Sequence, residues 1–196
     1  QNLSTGVLTK LYRNDGNNSF TEQNINFKGL YKGSLAWGDY NNDGRLDVIL
    51  SGIDGITSNS NNYTGIYKNN GDGTFSEQTE INLTGVSYSS VKWGDFDNDN
   101  YLDILLTGMK GYSPDYVPVT RVYHNNHDET FTEITGLSVK NVGLSSAEWG
   151  DYNNDGFLDI LVTGDSGNNL EFSIYLNNGQ NSFVDLSTLT IPGSYY

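Results

Sequence analysis

Three nine-residue stretches collect oxygen donors at fixed spacing: DYNNDGRLD at residues 39–47, DFDNDNYLD at 95–103 and DYNNDGFLD at 151–159. In the first, side-chain oxygens fall at positions 1, 3, 5 and 9, namely Asp39, Asn41, Asp43 and Asp47. The set recurs as Asp95, Asp97, Asp99 and Asp103, and again as Asp151, Asn153, Asp155 and Asp159. Alternate positions of a tight loop converge on one point. The backbone carbonyl of position 7, contributed by Arg45, Tyr101 or Phe157, is then free to turn inward. Hard oxygens in this number suit Ca2+, which accepts about six to eight, water completing the shell. Transition metals favour His or Cys, and the loops contain neither. The first seven positions imitate an EF-hand loop, but position 12, where a bidentate Glu belongs, holds Leu50, Leu106 or Val162. Asx-rich turns also form through side chain-to-backbone bonds without metal. Three copies in one register, all keeping position 9, favour the ion. The expectation is one Ca2+ in each loop.

The surrounding composition agrees. Formal net charge is −14, which three divalent ions would reduce to −8. Such a chain repels nucleic acid and anionic membrane surfaces, so neither is expected as a partner. There is no cysteine, hence no disulfide framework or thiolate site. No apolar run reaches the roughly 18 residues of a membrane span. No leader-like segment opens the sequence, so any signal peptide is expected to have been removed or not included. Extracellular calcium modules bind at about 0.1–1 mM, above cytosolic levels, so a secreted or cell-surface setting is expected.

The elements that position the loops follow from an internal repeat. Asp39, Asp95 and Asp151 are 56 residues apart, and so are Trp37, Trp93 and Trp149. Between them recurs a second unit, Tyr to Phe eight residues on, at 12–20, 67–75, 123–131 and 175–183. Each unit reads as two short strands around an Asn/Gly turn, and no segment keeps a helical period. The chain is therefore all-β. Two hairpins per period give four antiparallel strands, a to d, the pattern of a β-propeller blade. The long period comes from the b–c loops at 53–63 and 109–119; the third, at 165–172, is shorter. A β-sandwich array or a parallel β-helix is the rival architecture.

The stretches WGDYNNDGRLDVILSG, WGDFDNDNYLDILLTG and WGDYNNDGFLDILVTG, each followed by a Tyr-x-Asn-Asn turn and Phe, resemble the FG-GAP/VCBS repeats. These occur in integrin α-subunit propellers and in many secreted bacterial proteins. The resemblance covers nearly the whole chain. It implies a calcium-binding propeller, commonly seven-bladed, in extracellular adhesion, carbohydrate-binding or carbohydrate-processing proteins. Copy two departs from it at Asn100, where the others have Gly44 and Gly156. The chain holds about three and a half blades: a partial blade at 1–29, then blades at 30–85, 86–141 and 142–196. Head-to-tail self-assembly would set two c–d hairpins side by side, so a portion of a larger ring, completed by further blades of the same propeller, is expected.

In an antiparallel blade the a–b and c–d turns share one face, and the b–c and d–a connections the other. A ligand site is expected on the second face, where loops vary. Tyr63, Tyr112 and Tyr116 in b–c loops, with Tyr31 and Tyr88 in d–a connections, are the candidate platforms for sugar rings, the alternative being that they pack locally under their own loops. The tryptophans are expected to fill spaces between blades. His124 and His127 share one hairpin without counterparts elsewhere and are read as an exposed pair rather than as ligands. No nucleophile–base–acid set stands out; a glycosidase would need carboxylates outside the acidic loops, and Glu148, beside Trp149, is one such candidate. The leading functional reading is a non-catalytic, calcium-stabilised module that binds an extracellular protein or glycan. The alternatives are the propeller portion of a polysaccharide lyase or hydrolase, and a structural spacer.

Overall fold

A computed structural model describes residues 6–55, 61–112 and 114–186. Residues 1–5, the five residues in the middle of the first b–c loop, Ser113 in the second, and the segment after 186 lie outside them, and with them parts of the partial blade at 1–29 and of the blade at 142–196. The strands are β1 (Leu11–Gly16), β2 (Ser19–Gln23), β3 (Leu30–Gly38), β4 (Asp47–Asp54), β5 (Asn61–Asn69), β6 (Phe75–Glu77), β7 (Ser87–Gly94), β8 (Asp103–Lys110), β9 (Val117–Asn125), β10 (Phe131–Glu133), β11 (Gly143–Gly150), β12 (Asp159–Asp165), β13 (Leu170–Asn177) and β14 (Phe183–Asp185). They form one two-stranded hairpin, β1-β2, and three four-stranded meanders, β3-β4-β5-β6, β7-β8-β9-β10 and β11-β12-β13-β14. All pairs are antiparallel. This is a partial β-propeller, without closure among the described residues. Among the described residues no helix is long and apolar enough to cross a membrane.

The apolar runs DVILSG and DILLTG fill second strands that are buried on both faces, as a sheet packed between two layers requires. The related run in β12 alternates instead, with Leu161 40% exposed, because among the described residues no further sheet covers its outer face. Each core lies between consecutive blades. Ile49 and Ile66 of one blade pack with Val91, Ile104 and Leu106 of the next. Leu105 and Val122 then pack with Ala147, Ile160 and Val162.

The repeated aromatics lock these layers. Tyr40, at position 2 of the first acidic loop, stacks on Trp93 of the following blade at 6.0 Å and 9°, and Phe131 tilts against both. Phe96 repeats this on Trp149 at 5.9 Å and 6°, with Phe183 alongside. Tyr40 and Phe96 are fully buried, whereas Tyr152 and Trp37, at the two ends of the array, are 55% and 44% exposed. Trp93 and Trp149 thus fill the spaces between blades, as their position suggests.

Each innermost strand also carries a bulge near its start. Register shifts occur between Tyr31 and Ser34, Ser87 and Ser90, and Gly143 and Ser146. At each, a residue takes positive φ: Lys32 at 53°, Tyr88 at 48° and Leu144 at 47°. A bulge adds one residue and re-aims the side chains around it. Here it sits at the strand end away from the acidic loops.

Candidate functional site

The acidic loops share one internal geometry. The position 1 carboxylate takes two backbone N–H groups, from Asp43 and Gly44 on Asp39 at 3.0 and 2.8 Å, from Asp99 and Asn100 on Asp95 at 3.0 and 2.9 Å, and from Asp155 and Gly156 on Asp151 at 3.1 Å each. Position 5 accepts the N–H of position 7 in all three, Arg45 on Asp43, Tyr101 on Asp99 and Phe157 on Asp155. These are Asx-type turns, and they hold the carboxylates side by side. Asn100 adopts φ 70°, beside 83° for Gly44 and 90° for Gly156, so the lost glycine leaves the conformation of loop two intact. Asparagine tolerates this region better than most residues.

Position 9 is deeply buried: Asp47 and Asp103 are 0% and Asp159 1% exposed. One oxygen of each accepts the N–H of the Asn that ends the third strand, Asn69, Asn125 or Asn177, at 2.7, 2.9 and 2.8 Å. The amides of Asn125 and Asn177 continue outward to the Tyr40 and Phe96 carbonyls of the preceding blade. The Tyr-x-Asn-Asn signature is therefore a clamp. Its Asn holds the acidic loop, and its Tyr hydroxyl accepts a backbone N–H from the segment leading into the same blade, Lys28 to Tyr67, Thr84 to Tyr123 and Lys140 to Tyr175. Neighbouring loops are tied as well, Asn42 to the Asn100 carbonyl and Asn98 to that of Gly156.

Loop two brings carboxylate and imidazole donors close enough to hold a metal ion. Asp47 Oδ2 and Asp97 Oδ1 are buried without a hydrogen-bond partner of normal geometry, and the Tyr40 N–H still favours the Asp47 carboxylate. Buried carboxylates without a countercharge resist ionisation. Burial, with the charges of Asp43 and Asp39, pushes Asp47 up to about 6. Burial, with Asp97 and Asp99 nearby, pushes Asp103 up to about 8. Burial and the Asp99 charge raise Asp97, with His124 opposing.

The sign of the pH dependence follows. A carboxyl raised in the fold holds a proton that the unfolded chain releases near pH 4. Its stabilising effect is complete below that pH and is lost as pH rises through about 6 for Asp47 and about 8 for Asp103. With metal chelated, the unfolding midpoint is expected to fall between about pH 5 and 8.5. With Ca2+ saturating it should not fall, since the ion stabilises the ionised form. Calorimetry at the two pH values, with and without chelator, checks this; parallel pH trends would contradict it.

Side chains around the loops differ. In loop one the Arg45 guanidinium donates to Asp43 Oδ2 at 2.5 Å and to the Asn69 carbonyl at 3.0 Å. In loop two, His124 and His127 do not form an isolated surface pair. His124 Nδ1 lies 3.1 Å from Asp97 and His127 Nε2 lies 2.5 Å from Asp99. The two rings do lie at the surface as a pair, His127 being 43% exposed, but the third-strand end that carries them folds over its own acidic loop, so each also faces a carboxylate. Glu148 pairs with Lys92 of the preceding blade at 2.7 Å.

At the opposite strand ends, Tyr31, Tyr88 and Tyr116 come together around Lys32. Its ammonium lies 5.4 Å from the Tyr31 ring centre and 4.5 Å from that of Tyr88, and Tyr88 meets Tyr116 edge-on at 6.0 Å. The bulges that turn Lys32 and Tyr88 gave no sequence signal, since neither position holds Gly or Asn. Tyr112, 51% exposed, donates to Asn61 instead. Tyr63 stands apart from the cluster. Its ring lies over Gly65, where a Cβ would come within 2.0 Å of the hydroxyl, and it donates to Glu77 at 2.7 Å.

The model of the FG-GAP-like repeat family matches residues 5–50, 53–106, 115–162 and 151–196. No curated protein matches the chain. Among solved structures, the chain is similar to one described as the structural basis of specific recognition of non-reducing terminal N-acetylglucosamine by an Agrocybe aegerita lectin. Identity is 20% and the TM-score 0.53, a likeness of fold; the match covers 91% of this chain and 46% of that one. The chain thus spans about half the length of that structure.

Proposed function

The chain belongs to the FG-GAP-like repeat family, and from that premise we propose that it is a calcium-stabilised, non-catalytic binding module of an extracellular or cell-surface protein. Ca2+ is structural: it sits in the acidic loops and neutralises carboxylates that the fold gathers. Ligands in loop one are Asp39, Asn41, Asp43, Asp47 and the Arg45 carbonyl, and those in loop three are Asp151, Asn153, Asp155, Asp159 and the Phe157 carbonyl. Loop two offers Asp95, Asp97, Asp99, Asp103 and the Tyr101 carbonyl. Further blades of the same propeller cover the exposed Trp37 and Tyr152, using the stack seen twice inside the chain.

The ligand, an extracellular glycan or protein, binds at the other face. The observation that carries this reading is the Tyr31, Tyr88 and Tyr116 cluster, a strand's length or roughly 25 Å from the acidic loops. A cavity of about 320 Å3 beside it is lined by Thr9, Tyr31, Lys32, Gly33 and Ser51 among others. Aromatic rings with few polar groups make a surface on which a sugar ring can lie. The similar lectin structure supports a glycan as the first class to try. Immobilised glycans, N-acetylglucosamine-terminated chains included, are expected to retain the protein in Ca2+. Tyr88→Ala and Tyr116→Ala should each weaken that binding about tenfold or more. Retention of both variants at wild-type strength, or of no glycan by any form, would overturn the glycan reading.

A further inference from the structure

Three of the positions that set repeat two apart converge as donors on its acidic loop. Asp97 stands where the other loops have Asn41 and Asn153. His124 stands where the equivalent strands have Lys68 and Leu176. His127 replaces the turn glycines Gly71 and Gly179, keeping their positive φ at 67° beside 79° and 71°. The results are three overlapping groups of donors, each within 4.8 Å: Asp99, His124 and His127; Asp97, Asp103 and His124; and Asp95, Asp97 and Asp99.

We infer that loop two is a mixed imidazole–carboxylate site that takes a divalent transition ion, Zn2+ fitting best, in preference to Ca2+. The chemistry of the donors carries this. Ca2+ has little affinity for nitrogen, whereas imidazole with carboxylate is an ordinary zinc set. A tetrahedral ion with bonds of about 2.0–2.1 Å spaces its donors about 3.3 Å apart. His124 Nδ1 lies 3.1 Å from Asp97 Oδ2 and 3.5 Å from Asp103 Oδ1, in neither case in hydrogen-bonding geometry. Asp97 Oδ1 is buried and unpartnered as well. The Tyr101 ring stacks on His127 at 4.1 Å and 13°, which holds the second imidazole over Asp99. Loops one and three bring no imidazole to their carboxylates.

The inference rests on the metal-loop reading for loop two alone, and its test separates the two. The test is isothermal titration of chelator-stripped protein with ZnCl2 in a Ca2+ background about ten times the weakest affinity expected of such loops. It is followed by Co2+ titration read by visible absorption, in which an imidazole-bearing site of low coordination gives intense d–d bands. Wild-type protein is expected to bind one equivalent of Zn2+ despite the Ca2+. His127→Gly and His124→Leu restore the residues of the other repeats, so both should fold. Each is expected to lose at least about tenfold in Zn2+ affinity and the Co2+ bands, while stabilisation by Ca2+ persists. Zn2+ binding that is absent, displaced by Ca2+, or unchanged in both variants would overturn the inference. Zn2+ binding without any stabilisation by Ca2+ would uphold it and sink the calcium reading instead.

Discussion

Phe96→Ala is expected to destabilise the protein by about 3–5 kcal/mol, although the residue lies in a loop. Its ring is fully buried between blades, stacked on Trp149 and flanked by Phe183, and truncation opens a cavity that neither rigid sheet can close. For a chain of this length the unfolding midpoint should fall by roughly 6–20 °C. Tyr152→Ala changes the same position of the next repeat, but that side chain is 55% exposed, with no Trp stacked on it among the described residues. Its expected cost is within about 1 kcal/mol. Equal costs at the two positions, measured by urea unfolding, would show that interblade stacking is not what holds the array.

The second large effect concerns Asp103. Its oxygens accept the Phe96 N–H at 3.0 Å and the Asn125 N–H at 2.9 Å, both in buried surroundings. Asp103→Ala leaves two buried donors without acceptors, each costing about 1–3 kcal/mol. A loss of about 3 kcal/mol or more is therefore expected even in chelator, where no ion is at stake. Asp103→Asn keeps an acceptor and should fall between. A variant as stable as wild type in chelator, differing only when metal is present, would mean that position 9 serves the ion alone and not the fold.

Much of this fold was legible in the sequence because the chain states it repeatedly. The step of 56 residues between Trp37, Trp93 and Trp149 fixed the blade, and the Asn/Gly turns fixed its hairpins. The apolar runs of β4 and β8 lie in strands covered on both faces, yet the equally apolar DILVTG of β12 is half-exposed, since burial depends on a neighbour that the strand's own residues do not encode. The bulges at Lys32, Tyr88 and Leu144 were silent because positive φ usually announces itself by Gly or Asn. The same silence hid the grouping of Tyr31, Tyr88 and Tyr116.

The roles of individual loop positions were partly legible. Spacing put Asp39, Asn41, Asp43 and Asp47 in one loop, but not that Asp47 also anchors the Asn69 N–H. Tyr63 could have been separated from the other tyrosines by strand alternation, because it shares a strand face with Gly65 and Tyr67. The exposure of His124 and His127 was legible, but not the carboxylates they face. Their sequence neighbours form an ordinary Asn-rich turn, and only the pairing of β8 with β9 brings that turn over Asp97 and Asp99.

The most direct test of the account is thermal unfolding in about 10 mM Ca2+, in excess EGTA, and in Mg2+ at the same concentration. At a dissociation constant near 0.1 mM, each occupied loop adds about 2.7 kcal/mol. That amounts to a rise of roughly 5–10 °C per loop, specific to Ca2+. A cooperative transition at the same midpoint in all three solutions would mean that the acidic loops are Asx turns held by their own backbone, and that calcium has no part in this fold.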